Sequence, residues 1–339
     1  MAPRCGAVSQ PMKKRRIGST TLEVAEISFG CGGIGGLYRA CSLEDANAVL
    51  QAAWQSGVRM FDTAPRYGAG LSERRTGDFI RSHARDEVVL STKVGRLLRP
   101  VPSSAGARNG FVGGLDFDSD YDYSYDGVMR SVEMSYARLG LNRIDILYVH
   151  DLGDYTHGKE LGAAHFRTFS NGGMKALQKL KSSGVIGGWG LGVNEVKVCL
   201  DVMSEADMDC ILLAGRYTLL DRSAEAELIS RCMQRNTSLV IGGVFNSGIL
   251  ATGAGPDAYF DYEPASSDIV RRVNGLQALA AEYGTPLAAA ALQFPLRSPV
   301  VASVLIGTAK AASLLKNLEL LSTKAPEEFF IRAEQFTLR

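Results

Sequence analysis

Short apolar runs alternate with amphipathic stretches along most of the chain. Eight runs have the continuous hydrophobicity of buried strands, and they are centred near residues 27, 60, 90, 147, 189, 213, 242 and 304. A segment with apolar residues at helical spacing follows each run, for example Leu71–Arg81 after the second and residues 311–321 after the eighth. Apolar strands that alternate with helices predict a parallel sheet covered by helices.

Eight β-α units predict an α/β fold in which a parallel sheet closes into a (β/α)8 TIM barrel. A doubly wound open sheet is the alternative, and we prefer the barrel because polar residues follow several strands and do not collect at one switch point. The alternation within residues 14–26, around Gly18, predicts an N-terminal hairpin. Ser42 and Ser72 are expected to cap the first and second helices.

Two long stretches interrupt the alternation. Residues 99–126 are rich in Gly, Ser, Pro, Asp and Tyr, and their five aromatic side chains favour an ordered flap over a disordered segment. Residues 152–170 are predicted to form a second loop. Residues 1–11 are predicted to be a flexible tail and residues 12–339 a single domain, since no linker-like change of composition divides the chain.

The overall composition excludes several classes of protein. The 339 residues include 37 Lys and Arg against 36 Asp and Glu, and this balance does not favour nucleic acid or an anionic membrane as a partner. There is no apolar run of about 18 residues, so no transmembrane span is expected. Six scattered cysteines, without a C-x-x-C pair or a histidine cluster, predict reduced thiols, no metal site and a cytoplasmic location.

The glycine-rich segment over residues 30–36 has two interpretations. Its spacing partly matches a dinucleotide-binding Rossmann loop, but such a loop leads directly into a helix. Here residues 37–41 intervene before the first helix begins. A loop that approaches a ligand closely is therefore the preferred interpretation.

Four polar side chains stand at or just beyond the ends of the second, third and fourth predicted strands: Asp62, Tyr67, Lys93 and His150. In a barrel these ends meet on one face. A lysine cation lowers the pKa of a neighbouring tyrosine, which is ordinarily about 10, and Asp62 can keep that lysine charged. His150 can hydrogen-bond the same substrate oxygen or relay its proton. The set predicts proton transfer at one carbonyl or hydroxyl oxygen, and a hydride acceptor would have to be a cofactor.

Each of the four residues also has an ordinary structural interpretation when it is taken alone. A strand-end Asp often caps a turn, and a strand-end Lys is usually solvated. The functional interpretation gains its weight from the occurrence of all four residues on successive strands.

Several stretches of the chain resemble the aldo-keto reductases, and the resemblance extends over residues 14–320. The matching segments are residues 61–73, 91–96, 141–151, 217–222 and 304–319. The resemblance implies a barrel enzyme that binds a nicotinamide dinucleotide without a Rossmann domain. It also implies that Asp62, Tyr67, Lys93 and His150 form a catalytic tetrad with Tyr67 as the general acid/base.

The chain departs from the family pattern at the cofactor. The Lys-Ser pair and the Arg that hold the 2′-phosphate in NADPH-dependent members are replaced by Gly307-Thr308 and Ser313, although Lys310 can partly substitute. We therefore expect NAD as the cofactor, with NADP possible. The cofactor contacts that the resemblance implies are Asn194, Tyr217, Asn246, Ser247, Gly248, Gly307, Thr308, Lys310, Ser313 and Asn317.

Residues 212–221, residues 241–250 and the flap are similar to one branch of this family, the D-threo-aldose 1-dehydrogenases and pyridoxal 4-dehydrogenases. This implies oxidation of the anomeric hydroxyl of a sugar of the L-fucose, L-galactose or D-arabinose type to a lactone. Pyridoxal oxidation and NADPH-dependent carbonyl reduction are alternatives, and a non-enzymatic cofactor-sensing subunit is disfavoured by the intact tetrad. Asp151, Asp154 and His157 are expected to contact substrate hydroxyls.

Overall fold

Eight parallel strands close into a barrel, which confirms the predicted (β/α)8 TIM barrel. The computed structural model describes residues 12–103 and 106–339, so the tail predicted over residues 1–11 lies outside the described residues. Each strand is hydrogen-bonded to the next in chain order, and the last is bonded to the first. The strands are β1 (Ile27–Gly30), β2 (Met60–Asp62), β3 (Val89–Val94), β4 (Ile146–His150), β5 (Gly188–Val193), β6 (Cys210–Ala214), β7 (Ser238–Gly242) and β8 (Val301–Gly307).

At least one helix follows each barrel strand. The helices are α1 (Leu43–Gln55), α2 (Leu71–Arg81), α3 (Tyr125–Leu139), α4 (Asp154–Thr168), α5 (Met174–Ser182), α6 (Lys197–Glu205), α7 (Leu228–Arg235), α8 (Ile249–Thr252), α9 (Ser267–Glu282), α10 (Leu287–Leu296), α11 (Ala311–Glu319) and α12 (Glu327–Ala333). Ser42 caps α1 as predicted, because its Oγ accepts a hydrogen bond from the backbone N–H of Asp45 at 2.9 Å. Within the described ranges, no helix has the length and hydrophobicity needed to cross a membrane.

An N-terminal hairpin closes the lower end of the barrel. Its strands, Lys14–Arg16 and Glu23–Ala25, pair in antiparallel fashion as the sequence predicted. Ile17 and Val24 of this hairpin pack into the apolar cluster that fills the lower barrel interior. Arg15 fixes the hairpin by donating to backbone carbonyls at the start of β8 and just before it. The carboxyl ends of the strands, at the opposite face, are therefore where a site can form.

Ser72 does not cap helix α2, so that prediction was wrong. The N-cap position is occupied by Gly70, which has a left-handed φ of +93°. The Ser72 hydroxyl donates to the backbone carbonyl of Cys31 at 2.8 Å and lies 2.8 Å from the hydroxyl of Thr63. Ser72 thus ties the start of α2 to the ends of β1 and β2.

The loop predicted over residues 152–170 is also wrong, because most of it is helix α4. This helix contains one non-helical residue, Gly158, with φ of +72°. Gly162 is the only buried residue of α4, so the helix has no apolar stripe. A helix without an apolar stripe lacks the periodicity by which helices are recognised in a sequence.

The described part of the flap forms a β-ribbon. Its stem pairs Arg96–Pro100 with Phe117–Tyr121 in antiparallel fashion, so the flap begins three residues earlier than predicted and ends before α3. A second short pair, Ala107–Arg108 with Phe111–Val112, forms the tip. We use "flap" below for residues 96–121, of which 104 and 105 are not described.

Candidate active site

The four predicted catalytic residues meet at the carboxyl ends of three neighbouring strands. Asp62 is the last residue of β2, Lys93 lies near the end of β3, and His150 is the last residue of β4. Tyr67 follows β2 in a tight turn. The register pairs Asp62 with Ser91, which places Lys93 two residues further along the same face of β3.

Asp62 and Lys93 form a buried ion pair. The Lys93 ammonium donates to the Asp62 carboxylate at 2.6 Å and to the backbone carbonyl of Thr63 at 2.9 Å. Ser91 donates to the second carboxylate oxygen at 2.8 Å. The two charged side chains are only 2% and 1% exposed. Burial alone would lower the pKa of Lys93, but Asp62 and Tyr67 together raise it above its ordinary value, so this lysine is charged.

Tyr67 lies directly beside this cation. The Lys93 nitrogen is 4.6 Å from the centre of the Tyr67 ring. Burial raises the pKa of the Tyr67 hydroxyl to about 12, and Lys93 opposes this shift. The sequence-based expectation of a lowered pKa is therefore wrong in its net direction, since burial outweighs the lysine. Near neutral pH Tyr67 is protonated and can donate a hydrogen bond or a proton.

His150 also lies beside Tyr67. The two rings are 6.0 Å apart between centroids and nearly perpendicular. Burial lowers the pKa of His150 well below its usual value; Asp151 opposes this shift, whereas Arg96 and Lys93 add to it. His150 is thus a neutral imidazole that can donate one hydrogen bond.

The flap packs beside Tyr67, which stays partly exposed. Three backbone hydrogen bonds dock the flap: Tyr38 N–H to Gly110 O, Val112 N–H to Gly36 O, and Leu115 N–H to Gly68 O, all between 2.8 and 2.9 Å. The Phe111 ring then lies 5.9 Å from the Tyr67 ring, at an angle of 30° between the planes.

A cavity of about 180 Å³ lies between the flap and the turn that carries Tyr67. It is lined by residues 66–69 of that turn and by residues 106–117 of the flap, with gaps in each range. Tyr67 itself does not line this cavity, which lies between the flap and the residues on either side of Tyr67 in the turn.

The glycine-rich segment of residues 30–36 packs against backbone. A Cβ on Gly33 would lie 2.7 Å from the backbone of Thr308, and a Cβ on Gly36 would lie 2.2 Å from the carbonyl of Val112. Gly36 also has a left-handed φ of +95°. These glycines thus allow the segment after β1, the loop after β8 and the flap to approach one another; the predicted contact with a ligand stays a prediction.

The predicted substrate residues have protein partners. Asp151 accepts from Arg96 at 2.5 Å. Asp154 begins α4 and lies 3.9 Å from the Lys197 ammonium. His157 packs among the aromatic rings beneath the flap stem, and its Nε2 is 3.1 Å from the Tyr123 hydroxyl.

No role was predicted for Arg96 from the sequence, although it stands three residues after Lys93 in one of the segments that resemble the family. Its guanidinium is buried and lies over the Tyr121 ring at 4.2 Å. Its partner Asp151 is 55 positions away, so no local pattern could have paired them.

The predicted cofactor residues lie in two groups. Asn194 and Ser247 both contact Tyr262: the Asn194 amide donates to its hydroxyl at 3.3 Å, and the Ser247 hydroxyl accepts from its backbone N–H at 3.0 Å. Asn246 is buried between Thr218 and Gly215, and Asn246, Ser247 and Gly248 all have positive φ.

The second cofactor group lies where β8 leads into α11, and it comprises Gly307, Thr308, Lys310, Ser313 and Asn317. Lys310 occupies the N-cap of this nine-residue helix, and no side chain of the described residues caps it. Ser313 is exposed in the first turn. Free N–H groups at a helix start suit phosphate oxygens, so this end of α11 fits a dinucleotide phosphate.

Tyr217 belongs to neither group. Its ring packs 5.2 Å from Phe294 of α10, and a hydrogen bond with Ser298 affects its pKa, which burial raises. We therefore leave Tyr217 out of the proposed cofactor contacts.

The geometry places a charged lysine and a neutral imidazole beside a protonated tyrosine. Such a set can donate or accept a proton at a single substrate oxygen, while the buried Asp62 keeps the lysine charged. Among the described residues, no group of three His, Cys, Asp or Glu is arranged to hold a metal ion.

The chain matches the Aldo/keto reductase family over residues 26–337. It is 45% identical to a pyridoxal 4-dehydrogenase of Microbacterium luteolum over 328 residues, which cover 94% of this chain and 95% of that protein. It is 38% identical to a D-threo-aldose 1-dehydrogenase of a Pseudomonas species, over 90% of this chain and 92% of that protein. Among solved structures, the holo form of the aldo-keto reductase AKR11C1 from Bacillus halodurans has a TM-score of 0.74 at 23% identity, covering 96% and 97% of the two chains.

Proposed function

Because the chain belongs to the aldo/keto reductase family, whose members use nicotinamide dinucleotides, we propose that it oxidises the hydroxyl of a cyclic hemiacetal to a lactone. The proposal is supported above all by one observation, the contact of the Lys93 ammonium with both the Asp62 carboxylate and the Tyr67 ring. A cyclic hemiacetal has one carbon that bears both the hydroxyl and the ring oxygen. Loss of hydride from that carbon and of a proton from its hydroxyl gives the lactone carbonyl directly.

The reaction divides between the protein and its cofactor. The oxidised nicotinamide, when bound, accepts the hydride. Tyr67 accepts the hydroxyl proton, and the Lys93 cation favours the tyrosinate that this step requires. Asp62 keeps Lys93 charged. His150, as a neutral imidazole, donates a hydrogen bond to the reacting oxygen and holds it against Tyr67.

We propose NAD as the preferred cofactor. The start of α11 offers backbone N–H groups for phosphate, and Lys310 is the cation closest to it in sequence. A 2′-phosphate gains most from guanidinium groups, which bind it in bidentate fashion. Ser313, exposed in the first turn, provides no such group.

Two substrate classes fit this chemistry. Sugars of the L-fucose, L-galactose and D-arabinose type are the first, and one of the relatives is a D-threo-aldose 1-dehydrogenase. Pyridoxal, in its hemiacetal form, is the second. It is favoured by the 45% identity to a pyridoxal 4-dehydrogenase and by the Phe111 ring beside Tyr67, since aromatic rings pack well against a planar substrate.

A substrate panel tests the proposal. Purified protein is incubated with L-fucose, L-galactose, D-arabinose and pyridoxal, each with NAD⁺ and separately with NADP⁺, and formation of reduced nicotinamide and of lactone is followed. We expect turnover of at least one hemiacetal with preference for NAD⁺. Strong preference for NADPH in aldehyde reduction would favour a carbonyl reductase instead, and the absence of lactone from every substrate would refute the proposal.

A further inference from the structure

The residue after the candidate catalytic histidine is held in an unusual place. Asp151 has a φ of +54°, a left-handed conformation that is uncommon for a residue other than glycine. Its backbone N–H donates to the carbonyl of Gly192 at 3.0 Å, and its carboxylate accepts from the buried Arg96 at 2.5 Å. Unfavourable backbone geometry of this kind persists where surrounding contacts fix it, and it is often found at functional sites.

This conformation brings the Asp151 carboxylate to the His150 ring. The carboxylate oxygen that binds Arg96 lies 3.6 Å from Nε2 of His150. The other ring nitrogen, Nδ1, is buried, and no described residue offers it a hydrogen-bond partner. Nε2 is therefore the nitrogen that can reach a substrate oxygen.

Two contacts hold Arg96. Its guanidinium donates to the Asp151 carboxylate and lies over the face of Tyr121, in the stem of the flap, whereas its buried Nε has no hydrogen-bond partner among the described residues. It leaves the barrel only three residues after Lys93, so the same segment carries both the buried cation beside Tyr67 and the anchor of Asp151. An arginine suits this role because its planar group can pair and stack at the same time.

We propose that Arg96 and Asp151 are positioning residues that hold His150 in the tautomer with its proton on Nε2. A carboxylate near Nε2 favours a proton on that nitrogen. Nδ1 is then unprotonated, and a buried acceptor without a donor costs less than a buried N–H without an acceptor. At 3.6 Å the Asp151 carboxylate acts through its charge and accepts no hydrogen bond from Nε2, so the Nε2–H group is free to donate to the hemiacetal oxygen. The kinetic consequence rests on the proposed function, but the tautomer itself does not.

The assignment differs from the sequence-based expectation that Asp151 reads a substrate hydroxyl. If Asp151 binds substrate, its loss raises KM and leaves the His150 tautomer unchanged. If it positions His150, its loss changes the tautomer in the free protein and lowers kcat more than it raises KM. The two roles therefore give opposite results in two independent measurements.

Nitrogen-15 NMR of histidine side chains in the substrate-free protein provides the first measurement. The wild type, Asp151→Asn, Arg96→Met and the control Asp118→Ala are compared, with the His150→Gln spectrum used for assignment. Asp118 pairs with Arg99 on the exposed part of the flap stem, so its loss perturbs the flap without touching Asp151. We expect the Nε2–H pattern in the wild type and the control, and a mixture of tautomers in the other two variants.

Kinetics with the hemiacetal substrate provide the second measurement. Outer partners of an active-site histidine in metal enzymes typically contribute about 10- to 100-fold, and we expect Asp151→Asn to lower kcat by about this factor with little change in KM. A wild-type Nδ1–H tautomer, or an Asp151→Asn spectrum identical to the wild type, would overturn the inference. If the wild type turns over no hemiacetal, the proposed function fails while the tautomer result still decides the role of Asp151.

Discussion

The Asp62–Lys93 pair offers a test of the site that needs no substrate. Each partner is almost fully buried, and Lys93 makes its two hydrogen bonds to Asp62 and Thr63. Removing one member of a buried pair leaves an uncompensated charge and costs about 3–5 kcal/mol, whereas replacing both costs far less. We expect Asp62→Asn and Lys93→Met each to lower Tm by about 6–10 °C, at about 2 °C per kcal/mol for a large domain.

The double variant decides the matter. Asp62→Asn/Lys93→Met should melt above either single variant, because neither charge then remains buried, although it should be inactive. The exposed pair of Asp207 and Arg235 provides the control, and Asp207→Asn should change Tm by no more than about 2 °C. Tm is measured by circular dichroism at one scan rate and neutral pH. If the losses of the two single variants add in the double variant, the pair is not coupled and the account of the site is wrong.

Three further predictions follow from the geometry around Tyr67 and α11. Because only ionised Tyr67 accepts a proton and burial raises its pKa to about 12, kcat/KM for oxidation should rise about tenfold per pH unit from neutral to alkaline pH; a plateau starting near neutral pH would contradict this. Phe111→Ala should lower the pH at which kcat/KM reaches its plateau, because it reduces the burial of Tyr67. Phe111→Leu keeps an apolar side chain at this position and should lower that pH less. An unchanged pH profile in Phe111→Ala would show that the ring does not control the burial of Tyr67. Ser313→Arg should increase the affinity for NADP⁺ relative to NAD⁺ by about tenfold, which is the value of one charge-assisted hydrogen bond. Cofactor titration measures this ratio, and Ser313→Gln is the uncharged control. Equal effects of the two substitutions would contradict a role for the charge.

The barrel was predictable because its strands are mostly apolar and are buried on both faces. Strands such as β4 and β7 are buried along their whole length, and their apolar runs appear directly in the sequence. The four residues at the strand ends could be grouped for the same reason, since parallel strands bring their carboxyl ends to one face. Helix α4 was missed because it lies on the surface with a break at Gly158.

The electrostatics of the site were not predictable from residue types alone. The pKa of Tyr67 depends on how completely the flap and barrel bury it, and that burial comes from contacts such as the one with Phe111. The pairing of Arg96 with Asp151 joins the stem of the flap to the end of β4 through side chains that are far apart in sequence. Likewise, the direction in which Tyr217 points depends on the packing of α10, which no local pattern encodes.

The central claim is that Tyr67 accepts the substrate proton, and the turnover of Tyr67→Phe tests it most directly. This substitution removes one hydroxyl and keeps the ring beside Lys93 and Phe111. With the hemiacetal that the wild type oxidises, we expect kcat to fall by at least about 100-fold while the cofactor Kd changes by less than about twofold. Tyr38→Phe, at an exposed tyrosine, should retain full activity. Turnover of Tyr67→Phe at the wild-type rate would contradict the account.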